Sequence, residues 1–131
     1  MKISTKGRYA ITVLIDLSKN KSQGYISLKE IAERQDISIK YLEKIMKILV
    51  DADYLLVLRG KQGGYKLAKN EKEYILGDIL RLTEKNIESS ISCILNPESC
   101  NKTTCKTKQF WKGLDDVISN YLNTNTLQDL L

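Results

Sequence analysis

Residues 27–50 read SLKEIAERQDISIKYLEKIMKILV, and this stretch decides the fold. Ser27 and Glu30 fit a capping box, in which each side chain satisfies the backbone N–H of the other residue at a helix start. Ser38 is a second N-cap residue, placed directly after a tight turn at 35–37. The stretch therefore predicts two short helices joined by a three-residue turn, which is the helix-turn-helix arrangement.

Apolar and polar residues separate cleanly along the second of these helices. Residues three or four apart share a helix face, so the buried stripe is Leu42, Ile45, Met46, Leu49 and Val50. In a helix-turn-helix the second helix enters the major groove of DNA. The residues expected to face DNA are Ser38, Lys40, Tyr41, Glu43, Lys44 and Lys47. Partial burial of Tyr41, with its hydroxyl reaching a phosphate, is an alternative, and two capped helices also occur in ordinary bundles.

A β-hairpin is predicted directly after this helix pair. Residues 54–58 (YLLVL) and 65–68 (YKLA) have strand character, and RGKQGG joins them. Glycines permit the positive φ angles and the close approach that a loop on a phosphate backbone requires. A basic hairpin in this position is a wing, and its residues expected to meet phosphates or a narrow minor groove are Arg59, Gly60, Lys61, Gln62, Gly63 and Gly64.

The remaining helices complete a fold that is mostly α with one small β-hairpin. Helices are expected at about 5–20, 77–83 and 106–121. The last helix carries a large apolar stripe: Phe110, Trp111, Leu114, Val117, Ile118, Tyr121 and Leu122. We expect a partner subunit to cover it, although packing on the first helix is the alternative. The expected divisions are a winged helix-turn-helix at 1–84, a cysteine-bearing loop at 85–105, and a dimerisation helix with its tail at 106–131.

Composition and charge narrow the function classes. The chain has 131 residues, 42% of them hydrophobic, and it shows neither a membrane-length apolar run nor a signal sequence, so a cytoplasmic location is expected. Residues 1–70 carry a net charge of +7, and residues 71–131 carry −2. A basic half suits a polyanion such as DNA, although it also suits a merely solvated surface. No histidine is present, which excludes histidine-dependent catalytic triads within one chain.

All three cysteines, Cys93, Cys100 and Cys105, lie within thirteen residues of predicted loop. An odd number of cysteines in a cytosolic chain argues against a disulfide framework. A structural zinc site normally takes four Cys or His ligands, and this chain offers three. The residues alone leave two readings open, which are three thiolates around an iron–sulfur cluster and three free thiols.

Several motifs together resemble the Rrf-two family of winged-helix transcription regulators. They are STKGRYA at 4–10, IAERQ at 31–35, IS at 37–38, YLE at 41–43, RG at 59–60 and GGY at 63–65. The resemblance covers nearly the whole chain. It implies a homodimer joined through the long C-terminal helix and bound to palindromic promoter DNA. It also implies that Glu43 takes part in choosing between types of DNA site.

The resemblance also bears on the cysteines. Cluster-bearing members carry three cysteines between the wing domain and the last helix, and the third stands six residues before a tryptophan, as Cys105 does before Trp111. This implies a [2Fe–2S] or [4Fe–4S] cluster on Cys93, Cys100 and Cys105. The x6/x4 spacing departs from the family's x5/x5. In some members the fourth ligand comes from one of two positions, which are occupied here by Lys108 and Arg8. The fourth ligand of this chain therefore stays unassigned.

These features leave three candidate functions. The first is a DNA-binding regulator, expected to act as a repressor, that senses iron–sulfur status, oxygen or nitric oxide through the cluster. The second is a cluster-free regulator of cysteine metabolism that acts through a partner protein or thiol oxidation. The third is a thiol oxidoreductase, which is disfavoured because the chain lacks Cys-x-x-Cys, histidine and a phosphate-binding glycine loop.

Overall fold

The core forms around the first helix of the chain. A computed structural model of the protein describes residues 2–85, 87, 98 and 105–131. Helix α1 spans Thr5–Lys19, and the Ser4 side chain caps it by accepting a hydrogen bond from the Gly7 amide. Its buried apolar residues are Ala10, Val13, Leu14 and Leu17, none of them more than 1% exposed. The spacing of this stripe is what the 3.6-residue period of an amphipathic helix requires.

The helix-turn-helix forms as the caps predict. Helix α2 spans Leu28–Gln35 with the Ser27–Glu30 capping box in place, and α3 spans Ile39–Asp51 with the Ser38 side chain accepting from the Tyr41 amide. Asp36 ends α2 in the left-handed conformation, with φ of 52°. Short polar side chains tolerate this conformation better than most residues do. The sequence-based expectation for both helix starts is confirmed.

The wing is a two-stranded antiparallel sheet of β1 (Leu55–Leu58) and β2 (Gly64–Leu67). Leu55 pairs with Leu67 at its base, and Leu58 pairs with Gly64 next to the loop. A further antiparallel bridge joins Ile26 to Tyr65, with backbone hydrogen bonds of 2.9 and 2.8 Å. This bridge attaches the wing to the segment that leads into α2.

Two helices follow the wing along the described part of the chain. Helix α4 spans Leu76–Thr83, and α5 spans Lys108–Thr124. The sequence placed the last helix at about 106–121, so it starts two residues later and ends three residues later than expected. The Lys108 amide donates to the Cys105 carbonyl, and residues 122–124 continue the helix because no proline or glycine stops it. A Cβ at Gly77 would lie 2.7 Å from the Leu122 carbonyl oxygen, so a glycine there permits close contact between α4 and α5.

The end of α5 is attached to the core. Leu127, in a 3-10 turn at Leu127–Leu130, is fully buried, and its amide donates to the Tyr74 carbonyl at 2.9 Å. An isolated bridge pairs Ile75 with Thr126. No feature of the sequence predicted this return of the chain to the core. Across the described residues, no helix is both long and apolar enough to cross a membrane.

Candidate nucleic-acid interface

The outward face of α3 is set by its buried stripe. Leu42, Ile45, Met46 and Leu49 each have no exposed surface, which fixes the rotation of the helix about its axis. Lys40, Glu43 and Lys44 consequently lie on the exposed side, together with the cap residue Ser38. Each was expected to face DNA from the sequence. All four are exposed, and Lys40, Glu43 and Lys44 lie on the side of α3 away from its buried stripe.

Two residues of the expected set are held by neighbours. Tyr41 is half-buried and packs edge-on against Tyr9, with ring centroids 5.9 Å apart and planes at 77°. The alternative of partial burial is therefore correct for this ring. Lys47 is exposed and pairs with Asp51 at 2.8 Å within α3. An exposed pair four residues apart contributes only about 0.3–0.5 kcal/mol, so Lys47 can exchange this partner for a phosphate at little cost.

An ion pair that the sequence analysis missed attaches α2 to α1. Arg34 Nε and Nη2 donate to the two Asp16 carboxylate oxygens at 3.0 and 2.7 Å, and the Gln35 amide donates to Asp16 Oδ2 at 2.7 Å. The Asp16 side chain is only 2% exposed. The hydrogen bonds that Arg34 donates to Asp16, together with the charge of that carboxylate, raise the pKa of the Arg34 guanidinium above its usual value. Asp16 stands three residues after buried Val13, and a carboxylate at a core position of α1 was the signal available in the sequence.

The wing loop presents its basic residues to solvent. Arg59, Lys61 and Gln62 are exposed, and exposed Gly60 has φ of +115°, a conformation that favours glycine. Gly63 is half-buried at the loop end, and its amide donates to the Gly60 carbonyl at 3.0 Å. Arg59, Gly60, Lys61, Gln62 and Gly63 therefore form an accessible loop of the kind that the sequence predicted.

Gly64 is not part of the exposed wing loop, which corrects the expectation that it contacts DNA. It is buried in β2, and a Cβ at this position would overlap the backbone carbonyl of Ile26. Its lack of a side chain permits the Ile26–Tyr65 bridge to form, so its contribution is to wing packing and it is left out of the proposed DNA contacts.

Tyr74 fixes the base of the wing and was also missed. Its hydroxyl donates to the Tyr54 carbonyl at 2.7 Å and accepts from the Ala68 and Lys69 amides at 3.0 and 3.1 Å. One buried phenol thus connects the residue before β1 to the residues after β2. Burial raises the pKa of Tyr74 above its ordinary value, so the hydroxyl stays protonated and available as a donor.

The apolar stripe of α5 is largely uncovered within the single chain. The exposed members are Phe110 (66%), Trp111, Leu114, Val117 (67%) and Tyr121. Ile118 and Leu122 are half-buried. No residue of α5 is buried, so the alternative in which the stripe packs on the first helix is wrong for these exposed members.

Of the three cysteines, only Cys105 lies within the described residues. It is partly exposed, and its sulfur lies 3.3 Å from the Thr107 hydroxyl oxygen, two residues along the chain. The expected positions of Cys93 and Cys100 fall outside the described residues. Over 2–85, 87, 98 and 105–131, no group of three or more His, Cys, Asp or Glu side chains is placed to hold a metal ion.

A helix-turn-helix with an attached wing defines a winged-helix protein, and its exposed basic loop and helix face are those of a DNA-binding regulator. A family model described as "Rrf2: Iron-dependent Transcriptional regulator" matches residues 3–131. The chain belongs to this family, which is the Rrf-two family of the sequence motifs.

Individual relatives agree with this assignment. The chain is 35% identical over its full length to the protein named rrf2 of Nitratidesulfovibrio vulgaris, and it covers 87% of that protein. It superposes on the structure of CymR, the global cysteine regulator of B. subtilis, with a TM-score of 0.83 at 34% identity, covering 99% of this chain and 95% of CymR. The structure of T. potens IscR gives 0.76 at 35% identity, covering 99% of this chain and 85% of IscR. Because related proteins are named as regulators, a non-enzymatic function, the chain is a transcriptional regulator and no enzyme.

Proposed function

We propose that the protein is a homodimeric repressor that binds palindromic promoter DNA through α3 and the wing loop. The observation that carries the proposal is the complete burial of one α3 face, which turns Lys40, Glu43 and Lys44 to solvent. In a helix-turn-helix these positions meet base edges and phosphates, while Arg59 and Lys61 of the wing meet phosphates or the minor groove. Glu43 is a carboxylate suited to accept from cytosine N4, and we assign it to the choice between types of site.

The test is the salt dependence of binding. Each phosphate contact contributes about 0.9 to the slope of log K against log salt concentration. We expect Lys44→Ala and Arg59→Ala each to weaken binding to a promoter duplex selected from a random pool and to reduce the slope by about 0.9. Lys72→Ala, outside the proposed surface, is the matched control. Wild-type slopes in both test variants would refute this docking.

The dimer is proposed to form through α5. A contiguous exposed stripe that includes Phe110, Val117 and Tyr121 is the kind of patch that a second subunit covers. We retain the division into 1–84, 85–105 and 106–131, with Leu127 as the point where the last part rejoins the core. Val117→Glu is expected to give monomers in sedimentation experiments. Asn120→Glu adds the same charge outside the stripe and should leave the dimer intact; equal behaviour of the two variants would contradict this interface.

For the effector, we propose an iron–sulfur cluster, [2Fe–2S] or [4Fe–4S], held by Cys93, Cys100 and Cys105. Three cysteines within thirteen residues supply soft thiolate ligands, and the matching family is described as iron-dependent. Protonated Lys108 and Arg8 cannot ligate iron, so the fourth ligand is an oxygen, a small thiol, solvent or a group from the partner subunit. A cluster without four thiolate ligands reacts readily with oxygen or nitric oxide, which suits a sensor.

Anaerobic purification, followed by absorption spectroscopy and assays of iron and sulfide, tests the cluster. We expect a coloured protein that contains both elements, and loss of both in Cys93→Ser, Cys100→Ser and Cys105→Ser. A wild-type protein that is colourless and iron-free after reconstitution would exclude the cluster. The proposal that the protein binds DNA would still stand.

A second candidate is a cluster-free regulator of cysteine metabolism. The similarity to CymR along 95% of that chain favours it, as does a lysine rather than a ligand at position 108. Control would then come through a partner protein or thiol oxidation. If this candidate is correct, Cys105→Ser retains regulation that does not depend on iron. If the cluster proposal is correct, the same variant loses its response to iron–sulfur status, oxygen or nitric oxide.

A further inference from the structure

A groove of about 1030 Å³ lies beside α3. Three segments form its walls: the residues before and at the start of α1, one side of α3, and residues 83–85 at the end of α4 and directly after it. Five of its lining residues are lysines, contributed by all three walls: Lys2, Lys6, Lys44, Lys47 and Lys85. Lys2, Lys6 and Lys85 were not among the DNA contacts expected from the sequence.

The two acidic residues in the walls already have partners. Asp51 accepts from Lys47 at 2.8 Å. Glu84 Oε1 accepts from the Ser4 amide at 3.0 Å and from the Ser4 hydroxyl at 2.6 Å, which holds this carboxylate against the start of α1. Among the lining residues that the structure describes, five lysines and two carboxylates leave an excess of three positive charges, which suits a ligand with several negative charges.

We infer that this groove receives the phosphate backbone that borders the DNA groove read by α3, with Lys2 and Lys6 as phosphate contacts. The inference rests on the proposed DNA-binding function and extends the contact surface to the start of the chain. Lys44 and Lys47 both line this groove and lie on the α3 face proposed to read DNA, so the two surfaces are continuous. Continuity favours DNA phosphates over a separate small anion. Lysine suits this task because its ammonium is a point charge that does not require fixed geometry.

Lys85 connects the groove to the cysteine-bearing segment of the chain. It follows Glu84 directly and stands at the start of the segment that leads to the three cysteines. Because Glu84 also holds Ser4, one short stretch carries a groove lysine and fixes the position of the two N-terminal lysines.

The experiment compares the double variant Lys2→Gln/Lys6→Gln with wild type. Fluorescence anisotropy measures binding to a 40-base-pair duplex of mixed sequence, because phosphate contacts do not depend on sequence. Two lost contacts reduce the salt slope by about 1.8. Between 50 and 200 mM KCl, wild type should therefore lose roughly 12-fold more affinity than the variant.

Lys19→Gln/Lys72→Gln is the matched control. Lys19 ends α1, and Lys72 is adjacent to Glu71, which accepts from Ser18 at 2.8 Å. At 1.5 Å per residue this end of α1 lies about 21 Å from Thr5 at the helix start, so the same charge is removed away from the groove. We expect the control to keep the wild-type slope, and circular dichroism melts are used to check that all variants are folded.

The outcomes separate the two proposals. If Lys44→Gln flattens the slope and Lys2→Gln/Lys6→Gln does not, the groove inference fails and the proposed function stands. If wild type shows no salt-dependent DNA binding, the proposed function fails and the inference falls with it. Calorimetry with pyrophosphate tests for a small-anion site. If the double variant loses pyrophosphate binding but keeps the wild-type salt slope for DNA, the groove binds a small anion and the inference is overturned.

Discussion

Replacing Gly64 by alanine tests how the wing is held. The added Cβ would overlap the Ile26 carbonyl, and the Ile26 amide nitrogen would lie 2.9 Å away. These are backbone atoms of a segment that leads into α2, so they cannot rotate aside as a flexible side chain would. The two segments must separate, and the Ile26–Tyr65 bridge opens.

The expected cost follows from the contacts that are lost. The bridge has two backbone hydrogen bonds of 2.9 and 2.8 Å, each with a net contribution of about 1 kcal/mol. Strain from the added methyl group costs about 1–3 kcal/mol. Reduced entropy of the unfolded alanine chain returns about 0.4–1 kcal/mol. The free energy of unfolding should therefore fall by about 3 kcal/mol.

Urea denaturation at one fixed protomer concentration measures this change. With an m-value of about 2 kcal/mol/M, the midpoint should fall by about 1.5 M. Gly113→Ala is the matched control, because a Cβ there meets no atom within 4 Å and alanine favours the interior of α5. It should stabilise the protein by about 0.5–1 kcal/mol. The reasoning is refuted if Gly64→Ala unfolds within 0.5 kcal/mol of wild type.

Three further predictions concern buried polar groups. Hydrogen bonds from Lys21 and Ser18 lower the pKa of Glu71 from 4.5 to about 2, so its stabilisation is complete above pH 4.5 and lost as the pH falls towards 2. That shift corresponds to about 3 kcal/mol, which we reduce to about 2 because the Lys21 side chain is 65% exposed; acid titration of Glu71→Gln should lack this loss. Tyr74→Phe removes the 2.7 Å hydrogen bond to the Tyr54 carbonyl, which keeps only the Ala68 amide at 3.1 Å, and takes the hydroxyl acceptor from the Lys69 amide. The loss should cost about 1–3 kcal/mol in urea denaturation, and a cost near zero contradicts the proposed wing anchor. Arg34→Ala leaves buried Asp16 without its cation, so the free energy of unfolding should fall by about 3 kcal/mol. A thermal melt unchanged from wild type would contradict this prediction.

The local signals of the sequence were sufficient for the helix-turn-helix. Ser27 and Ser38 are caps whose effect is confined to one helical turn, and both formed as predicted. The hairpin was located within one residue because a glycine-rich turn between two short apolar runs of strand character is also a local signal. Leu127 was missed because its burial depends on α5 returning the chain to Tyr74, a contact between residues far apart in sequence.

The candidate site was predictable from sequence only where it depends on one helix. The exposed positions of α3 follow from helical periodicity, which the buried stripe imposes directly. Gly64 looked like the other wing glycines, and only the path of Ile26 in space distinguishes its packing role. Lys2, Lys6 and Lys85 could not be grouped with Lys44 from sequence, because three separate segments bring them to one groove.

The attachment of α5 at its C-terminal end makes the helix a lever with a fixed pivot. The pivot lies at Thr126 and Leu127, where a bridge and a buried side chain hold the chain. The helix has 17 residues and is about 25 Å long, so a rotation of about 10° there moves the Lys108 end by roughly 4 Å. Cys105 precedes that moving end by three residues. A small change of angle at this pivot would be amplified at the cysteine, and a displacement at the cysteine would reach the body of the protein reduced in size.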